Sequence, residues 1–265
     1  MMQTELELLK SPNVKKISAG RHTIYQGDCC EGLKMIQDNS VHLIVTSPPY
    51  NIGIDYGSYK DTLSFEQYTT FAEAWLKECF RILVNGGRIC VNVPFTTILG
   101  PDAPYNLYYN IMRKVGFKSR ELIVWVKKRK CDRQFVRRKP FFGTASSFNP
   151  CIQYCSEAIL VMCKNTFNLN GLNSDLTEQE FLKWNYNVWE MDTEPNRNHP
   201  APFPEELPTR LIKIFSYPEQ IVLDTFLGSG TTMKVADKLN RACIGCELDE
   251  SYVEMTLERM KKMLY

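Results

Sequence analysis

A hydroxyl residue, two prolines and an aromatic residue follow a short apolar run and form the first candidate site. The run 41–45 is rich in Val and Ile, as in a buried strand, and the sequence Thr46-Ser47-Pro48-Pro49-Tyr50 comes directly after it. Proline donates no backbone hydrogen bond and restricts the residue before it, so the strand is predicted to end in a stiff corner. Because ligands of open parallel sheets bind beyond the carboxyl ends of the strands, this corner is a candidate binding edge. A plain Pro-Pro loop is the alternative.

A turn with two glycines follows a second apolar strand and forms the next candidate site. Gly228, Ser229 and Gly230 precede a predicted helix, where glycine allows a close ligand approach and free N–H groups favour an electron-rich partner. Glu247 ends the next predicted strand, and a carboxylate there can accept hydrogen bonds from both hydroxyls of a ribose. The turn has neither the third glycine of a dinucleotide fingerprint nor the Gly-Lys-Ser/Thr ending of a P-loop. A nucleoside cofactor without an essential phosphate is therefore favoured, and S-adenosylmethionine fits.

A strongly basic segment lies near the middle of the chain. Residues 127–139 contain eight basic residues and the single acid Asp132. The basic residues are Lys127, Lys128, Arg129, Lys130, Arg133, Arg137, Arg138 and Lys139. Phe135, Phe141 and Phe142 lie among or just after them, and basic groups combined with aromatic residues suit a nucleic-acid groove. The segment is predicted to bind phosphates of a nucleic acid, with a solvated charged face as the alternative.

Length and composition are those of a globular protein. The chain has 265 residues, 44% hydrophobic and 23% charged, with a formal net charge of +2. No signal peptide or membrane-spanning run is found, so a cytoplasmic location without membrane association is expected. Most of the ten cysteines lie in apolar segments, which favours reduced core residues over a disulfide framework. No metal site is predicted, because Cys243 and Cys246 fall on opposite faces of a predicted strand.

Alternating strands and helices are predicted to position the candidate residues. Strands are expected at 22–26, 41–45, 88–93, 121–127, 158–163, 220–223 and 242–246. Helices are expected at 65–83, 105–115, 205–215, 231–239 and 250–260. This alternation predicts an α/β protein with a doubly wound, mostly parallel, seven-stranded sheet of Rossmann type in a single domain, 1–265. The segments 51–63, 128–150 and 165–204 fit no element, and connections of that length are commonly functional.

Five stretches, taken in order, resemble the amino-methyltransferases that modify exocyclic amines of DNA bases. Thr46 to Tyr50 is similar to the catalytic motif of that family, and 224–232 resembles its S-adenosylmethionine loop. The stretches 27–29, 199–207 and 245–249 are similar to the segments that contact the adenine, the methionine part and the ribose of the cofactor. Because the catalytic motif precedes the cofactor motif, the order resembles that of the permuted beta group.

The resemblance implies a set of site residues and S-adenosylmethionine as cofactor. The implied catalytic residues are Ser47, Pro48, Pro49 and Tyr50. The implied cofactor-binding residues are Asp28, His199, Pro200, Asp224, Phe226, Gly228, Ser229, Gly230, Thr231, Thr232 and Glu247. The hydroxyl of Ser47 and the carbonyl of Pro48 are expected to accept hydrogen bonds from the two amine hydrogens. These bonds hold the nitrogen pyramidal, with its lone pair directed at the sulfonium methyl group. Tyr50 is expected to stack on a base that has been flipped out of the duplex.

The resemblance also implies a target. In that family serine at the position of Ser47 usually accompanies cytosine N4, and aspartate accompanies adenine N6. We therefore expect N4 methylation of cytosine in a specific DNA sequence, with adenine N6 as the alternative. Methylation of cytosine carbon 5 by Cys151 is disfavoured, because Pro150-Cys151 follows a basic loop and not a buried strand. The basic loop 128–150 and the insertion 165–198 are expected to grip the DNA and recognise its sequence.

Other functions and partners stay open from the sequence. One alternative is the same chemistry on a cytosine of ribosomal RNA, since the corner does not contact the sugar. Another is a non-catalytic nucleic-acid-binding module, against which the intact motifs argue. Double-stranded DNA is the expected partner, and the resemblance allows a homodimer and a cognate restriction endonuclease.

Overall fold

Within the described residues, nine strands form one sheet, which carries the elements that border the predicted site. The computed structural model of the protein describes residues 14–51, 53, 59, 61–95, 103–128, 155–192 and 203–263. The strands are β1 (Lys15–Ala19), β2 (His22–Gln26), β3 (Val41–Thr46), β4 (Leu83–Pro94), β5 (Lys118–Lys127), β6 (Ser156–Cys163), β7 (Val188–Met191), β8 (Ile221–Asp224) and β9 (Ala242–Glu247). Their order in the sheet is β1-β2-β9-β8-β3-β4-β6-β5-β7, with β3 at the centre.

Helices cover both faces of this sheet. Within the described residues they are α1 (Cys29–Lys34), α2 (Phe65–Ile82), α3 (Pro104–Val115), α4 (Glu178–Trp184), α5 (Glu206–Phe215), α6 (Thr231–Lys238) and α7 (Glu250–Lys261). The first three pack on one face around the fully buried Trp75, and α5, α6 and α7 pack on the other around Leu211 and Met233. A capping box of Ser64 and Gln67 begins α2. Burial on both faces explains the continuous apolar character of β3.

The direction of the strands fixes where a ligand can bind. β2, β9, β8, β3 and β4 run parallel, whereas β6 is antiparallel to both β4 and β5. The chain leaves β3 through α2 toward β4 on one side, and it leaves β8 through α6 toward β9 on the other. Between β3 and β8 lies the switch point at which doubly wound sheets bind ligands. The predicted α/β, doubly wound, mostly parallel fold is confirmed.

Four elements were not predicted from the sequence, and two of them bring the sheet from seven strands to nine. β1 is mostly exposed and pairs antiparallel with β2 alone, so it has only a weak apolar pattern around Ile17. β7 is an edge strand that exposes Val188 and buries Trp189 and Met191. This short alternation lies inside the segment 165–204, which fits no predicted element. The helices α1 and α4 are short, with six and seven residues, so neither repeats an apolar period.

The described part of the segment 165–204 is joined to the core by a buried arginine. Arg241 is fully buried, and its guanidinium donates to both carboxylate oxygens of Asp175, at 2.5 and 2.7 Å. A bidentate pair of this kind fixes both distance and orientation. The segment 128–150 lies outside the described residues except for Lys128, and 51–63 is described only at Asn51, Gly53, Tyr59 and 61–63.

The cysteines differ in one respect from the expectation. Cys243 and Cys246 contribute to the hydrophobic cores on opposite faces of the sheet, as the alternation along β9 predicts. Cys155 is disulfide-bonded, whereas the seven other described cysteines are free. Reduced core residues were expected for most of the ten cysteines, and Cys155 is an exception, because a sequence pattern carries no information on which thiols meet in space. Within the described ranges, no helix has both the length and the apolar character needed to cross a bilayer.

Candidate active site

The ends of β3 and β8 lie side by side at the centre of the sheet. Leu43 pairs with Val222 and Ile44 with Leu223 in the parallel register. Beyond the pairing, the hydroxyl oxygens of Thr46 and Thr225 are 2.9 Å apart, and both side chains are buried. The two motifs, which are far apart in the sequence, are therefore neighbours in space.

One cavity is lined by both motifs. Eleven of the residues predicted for the site line it: Asp28, Ser47, Pro48, Pro49, Tyr50, Asp224, Phe226, Gly228, Ser229, Thr231 and Glu247. The cavity lies at the carboxyl edge of β2, β9, β8 and β3, where the fold predicts a ligand. Gly230 and Thr232 are buried behind it, and His199 and Pro200 lie outside the described residues.

The proline corner is held by side chains from α2 and α3. The hydroxyl of Tyr68 donates to the carbonyl of Pro49 at 2.5 Å and lies 3.0 Å from the hydroxyl of Tyr108. Both tyrosines are buried. After the corner, Asn51 exchanges two hydrogen bonds of 2.8 Å with the backbone of Leu63, which closes the connection toward α2. The corner is therefore fixed both by its prolines and by partners from distant parts of the chain.

The polar groups of the corner join a network that the sequence did not predict. The Ser47 hydroxyl and the Tyr50 hydroxyl are 2.7 Å apart. Asn92, near the end of β4, donates from its amide nitrogen to the Tyr50 hydroxyl at 3.1 Å and to the Glu157 carboxylate at 2.7 Å. Lys127 pairs with the other oxygen of that carboxylate. Polar residues at strand ends were the available signal, but only the register of β4, β5 and β6 brings them together.

The glycine turn after β8 owes its shape to two different requirements. Gly228 and Gly230 both have positive φ values, of 52° and 79°, in the left-handed region that favours glycine. A Cβ atom on Gly230 would lie 2.6 Å from the side chain of Thr256 on α7, so this residue permits close packing between two elements. The hydroxyl of Thr256 in turn donates to the carbonyl of Gly228 at 3.2 Å. The turn is therefore locked against α7 while Gly228 and Ser229 face the cavity.

Glu247 is fixed by main-chain donors at the end of β9. One oxygen accepts from the N–H of Gly228 at 2.7 Å, and the other accepts from the N–H of Asp249 at 2.9 Å. Burial raises the pKa of this carboxyl above its ordinary value, while these two hydrogen bonds act in the opposite direction. Since each carboxylate oxygen has two lone pairs, the group has acceptor capacity left for the two hydroxyls of a ribose.

Asp224 holds the turn from below. Its two oxygens accept from the hydroxyl of Thr232 at 2.6 Å and from the N–H of Phe226 at 3.2 Å. The residue is fully buried, and this burial raises the pKa of its carboxyl to about 7. Thr232, which is predicted to contact the cofactor, is buried and donates to Asp224.

Asp28 and several aromatic side chains complete the cavity wall. One carboxylate oxygen of Asp28 caps α1 by accepting from the N–H of Glu31 at 3.1 Å. The ring of Phe226 packs edge-on against Trp75, with 5.4 Å between the centroids. Ten further residues line the cavity: Gly27, Cys29, Tyr59, Phe71, Phe203, Thr225, Leu227, Cys246, Leu248 and Tyr252. Tyr59, Phe71 and Tyr252 lie outside the five stretches that carry the family resemblance, and of these Phe71 belongs to the apolar face predicted for α2.

Only Lys127 and Lys128 of the basic segment are described, and their side chains differ in exposure to solvent. Lys127 has a side-chain exposure of only 12% and is paired with Glu157, so it differs from the predicted phosphate ligand on the surface. Lys128 is exposed and lies 3.5 Å from Glu190. The other six residues predicted to bind nucleic acid lie outside the described residues: Arg129, Lys130, Arg133, Arg137, Arg138 and Lys139. The sequence does not reveal the environment of Lys127, because it follows from the pairing of β5 with β6 on one side and with β7 on the other.

Comparison with protein families assigns the chain. The family of DNA methylases that comprises adenine N6 and cytosine N4 enzymes matches residues 41–258, from the first residue of β3 into α7. The chain belongs to this family. The prediction of an S-adenosylmethionine-dependent DNA methyltransferase is thereby confirmed, without a decision between adenine and cytosine.

Several curated Type II methyltransferases are similar to this DNA methylase. M.HpaI of Haemophilus parainfluenzae is 30% identical over an alignment of 246 residues, and the match covers 87% of this chain and 71% of the relative. M.HinfI of Haemophilus influenzae is 31% identical over 268 residues, with coverage of 91% and 69%. M.MjaVI of Methanocaldococcus jannaschii is 34% identical over 157 residues, with coverage of 58% and 78%.

Solved structures show the same architecture. The Thermus thermophilus protein TTHA0409, complexed with S-adenosyl-L-methionine, is 28% identical and superposes with a TM-score of 0.71 over 91% of this chain and 93% of that chain. The cytosine-N4-specific PvuII DNA methyltransferase superposes with a TM-score of 0.69 over 93% and 91% of the two chains. At 20% identity, the PvuII comparison shows the fold alone.

Proposed function

We propose that this DNA methylase transfers the methyl group of S-adenosylmethionine to the N4 amine of cytosine within a specific sequence of double-stranded DNA. The observation that carries the proposal is the single cavity shared by the Ser47 corner and the turn after β8. A group bound at the turn and an amine held at the corner would face each other across that cavity. Such proximity is the main requirement of direct group transfer.

The cavity suits a cationic nucleoside cofactor. Its described lining contains the carboxyl groups of Asp28, Asp224 and Glu247 and no lysine, arginine or histidine. A phosphate would find no cationic side chain there, whereas a sulfonium is compatible with nearby acids. The hydroxyl of Tyr59 is buried in this wall and has no hydrogen-bond partner within the described part of the chain, so it is a candidate ligand contact.

We assign the cofactor contacts as follows. Glu247 binds the ribose hydroxyls, Asp28 the adenine, and the main chain of Gly228 and Ser229 approaches the cofactor closely. Asp224 and Thr232 support the turn, Gly230 permits its packing, and Phe226 and Thr231 form part of the wall. His199 and Pro200 contact the methionine part, as the family resemblance implies. Bound S-adenosylmethionine supplies an electrophilic methyl group on a positively charged sulfur.

The corner activates the amine. An exocyclic amine is a weak nucleophile because its lone pair is delocalised into the base. The Ser47 hydroxyl and the Pro48 carbonyl accept hydrogen bonds from its two N–H groups. Pro49 keeps these acceptors in place, and Tyr50 stacks on the flipped base. The preference for cytosine is assigned from Ser47, the residue that accompanies N4 methylation in the family resemblance.

The segments between the core elements are assigned to DNA binding. We propose one domain, 1–265, in which 128–150 grips phosphates and 165–198 recognises the sequence. Neutralising substitutions test the phosphate contacts. Replacing Arg137, Arg138 and Lys139 together by Gln should reduce the slope of log DNA affinity against log salt concentration by about 2 to 3. An unchanged slope would show that these residues do not contact phosphates. A homodimer and a cognate restriction endonuclease are proposed as further partners.

The target base is tested by the product. The purified protein, radiolabelled cofactor and unmethylated genomic DNA are incubated, and the nucleosides are then analysed by mass spectrometry. We expect N4-methylcytosine with the wild type and none with Ser47→Ala. N6-methyladenine would contradict the cytosine assignment and retain the mechanism. Parallel incubations replace the genomic DNA by single-stranded DNA or by ribosomal RNA. Methyl label in either of these, with none in duplex DNA, would contradict the proposed substrate.

A further inference from the structure

A network of polar side chains connects the Ser47 corner to a partly buried ion pair that the proposed mechanism does not use. Asn92 lies on β4, Glu157 on β6 and Lys127 on β5. The register places their side chains on one face of the sheet. Asn92 is opposite Ile159, and Glu157 is opposite Trp125. Since paired residues and residues two apart on a strand point to the same face, Asn92, Glu157 and Lys127 do so as well. The side chains of Glu157 and Lys127 are each 12% exposed, and Asn92 is 4% exposed. Charged groups are rarely buried at this depth without a specific arrangement.

The contacts fix the orientation of the Asn92 amide in this network. One oxygen of Glu157 is occupied by Lys127, and the other accepts from the amide nitrogen of Asn92 at 2.7 Å. The second hydrogen of that amide points to the hydroxyl oxygen of Tyr50 at 3.1 Å. The opposite amide orientation would place two acceptors against each other, so Asn92 must donate.

The same network reaches Ser47. The hydroxyl of Tyr50 lies 3.5 Å from the carboxylate of Glu157 and 3.5 Å from the carbonyl of Asn92, and the carboxylate is the stronger acceptor. The Ser47 hydroxyl lies 2.7 Å from the Tyr50 oxygen and 3.4 Å from the carbonyl oxygen of Asn92, so its one hydrogen has an acceptor whichever of the two hydroxyls donates to the other. In both arrangements a lone pair of the Ser47 oxygen is available for the amine. Active-site contacts of this kind commonly shorten when substrate binds.

We propose that Glu157 is a positioning residue of the methyl transfer, acting through Tyr50. Its carboxylate, balanced by Lys127 and connected by Asn92, orients the hydroxyl of Tyr50 and keeps Ser47 as an acceptor toward the target amine. It also fixes the plane of the Tyr50 ring on which the base stacks. Lys127 therefore belongs to the active site and not to the phosphate-binding surface. This inference rests on the proposed role of the corner.

A double-mutant cycle tests the connection between the two residues. Glu157→Gln keeps the shape of the side chain but offers Tyr50 a donor, and Tyr50→Phe keeps the stacking ring without the hydroxyl. Each substitution should lower kcat about tenfold, the size expected for one ordinary hydrogen bond. The combined variant should lose no more than either single one, because both break the same network. The KM for DNA and the Kd of S-adenosylmethionine should stay within about twofold of wild type.

A matched control separates this role from general effects of charge. Glu121→Gln on β5 removes an exposed carboxylate that pairs with Arg120 at 3.3 Å, and it should leave kcat unchanged. If kcat of the combined variant falls about hundredfold, the two single effects multiply, and the proposal is overturned. A wild-type kcat in Glu157→Gln would overturn it as well. Should Glu157→Gln fail to fold, Tyr50→Phe alone decides, since full kcat in that variant shows that the network is not used. Absence of methyl transfer by the wild type would refute the proposed function instead.

Discussion

The two halves of the cavity are built in different ways. The half around β8 and β9 uses short contiguous motifs, in which main-chain N–H groups of Gly228 and Asp249 hold the carboxylate of Glu247. The half after β3 uses side chains from distant elements, such as Tyr68 on α2 and Asn92 on β4. The first half can be predicted from sequence, because its residues lie in short motifs at the ends of the predicted strands β8 and β9. The second requires the sheet register.

The largest expected effect concerns the half after β3. Ser47→Ala removes an acceptor that is used only when the amine is drawn out of conjugation, so kcat should fall about 100-fold or more. The Kd of S-adenosylmethionine should change by less than about threefold, because the alanine leaves the turn intact. Single-turnover rates and isothermal titration calorimetry measure the two quantities. A comparable loss of cofactor affinity would show that the two halves are not separate.

The reverse pattern is expected at Glu247. Glu247→Ala removes the carboxylate that holds the turn and is assigned to the ribose, so the Kd of S-adenosylmethionine should rise about 10-fold to 100-fold. At saturating cofactor, kcat should recover to within about threefold of wild type. Glu250→Ala, at the exposed start of α7, is the matched control and should alter neither quantity. Unchanged cofactor affinity in Glu247→Ala would remove this residue from the cofactor half.

A pH dependence of stability is expected from Asp224. Burial raises the pKa of this carboxyl from 3.8 to about 7 in the folded protein. Between these values the folded protein keeps a proton that the unfolded chain has lost, so the free energy of unfolding falls as pH rises through the window. Asp224→Asn does not ionise, and the stability of wild type relative to this variant should fall by up to about 1.4 kcal/mol per pH unit. Urea denaturation between about pH 4 and pH 7 measures it, and a constant difference would contradict it.

The smallest expected effect concerns the support of the corner. Tyr68→Phe removes the donor to the carbonyl of Pro49 and the contact with the Tyr108 hydroxyl. The free energy of unfolding should fall by about 1 kcal/mol, and kcat should fall by about threefold as the acceptors lose their support. Thermal denaturation and steady-state rates test both parts. Full kcat with lowered stability would show that the prolines alone fix the corner.

Most of the parallel core could be predicted from sequence, for a physical reason. Strands buried on both faces, such as β3 and β8, are continuous apolar runs, and the amphipathic α2 has a clear helical period. The edge strands β1 and β7 bury one face or less, so their patterns are short and were missed.

The candidate site shows the same division. Eleven predicted residues of the turn, the strand ends and the proline corner line one cavity, and Gly230 and Thr232 lie behind it. Glu157 and Asn92 could not be predicted, since nothing local in the sequence connects β4 with β6. Lys127 was grouped with the basic segment that follows it, although it also ends the predicted strand 121–127, and the structure pairs its side chain with Glu157.

The central claim is that cofactor and target amine meet across this cavity. A crystal structure of the protein with S-adenosylhomocysteine and a duplex containing its methylation site tests it directly. We expect the ribose on Glu247 and a flipped cytosine against Tyr50, with its N4 atom within hydrogen-bond distance of the Ser47 oxygen and directed at the sulfur. A cofactor bound outside the cavity, or a flipped base without contact to Ser47, would contradict the account.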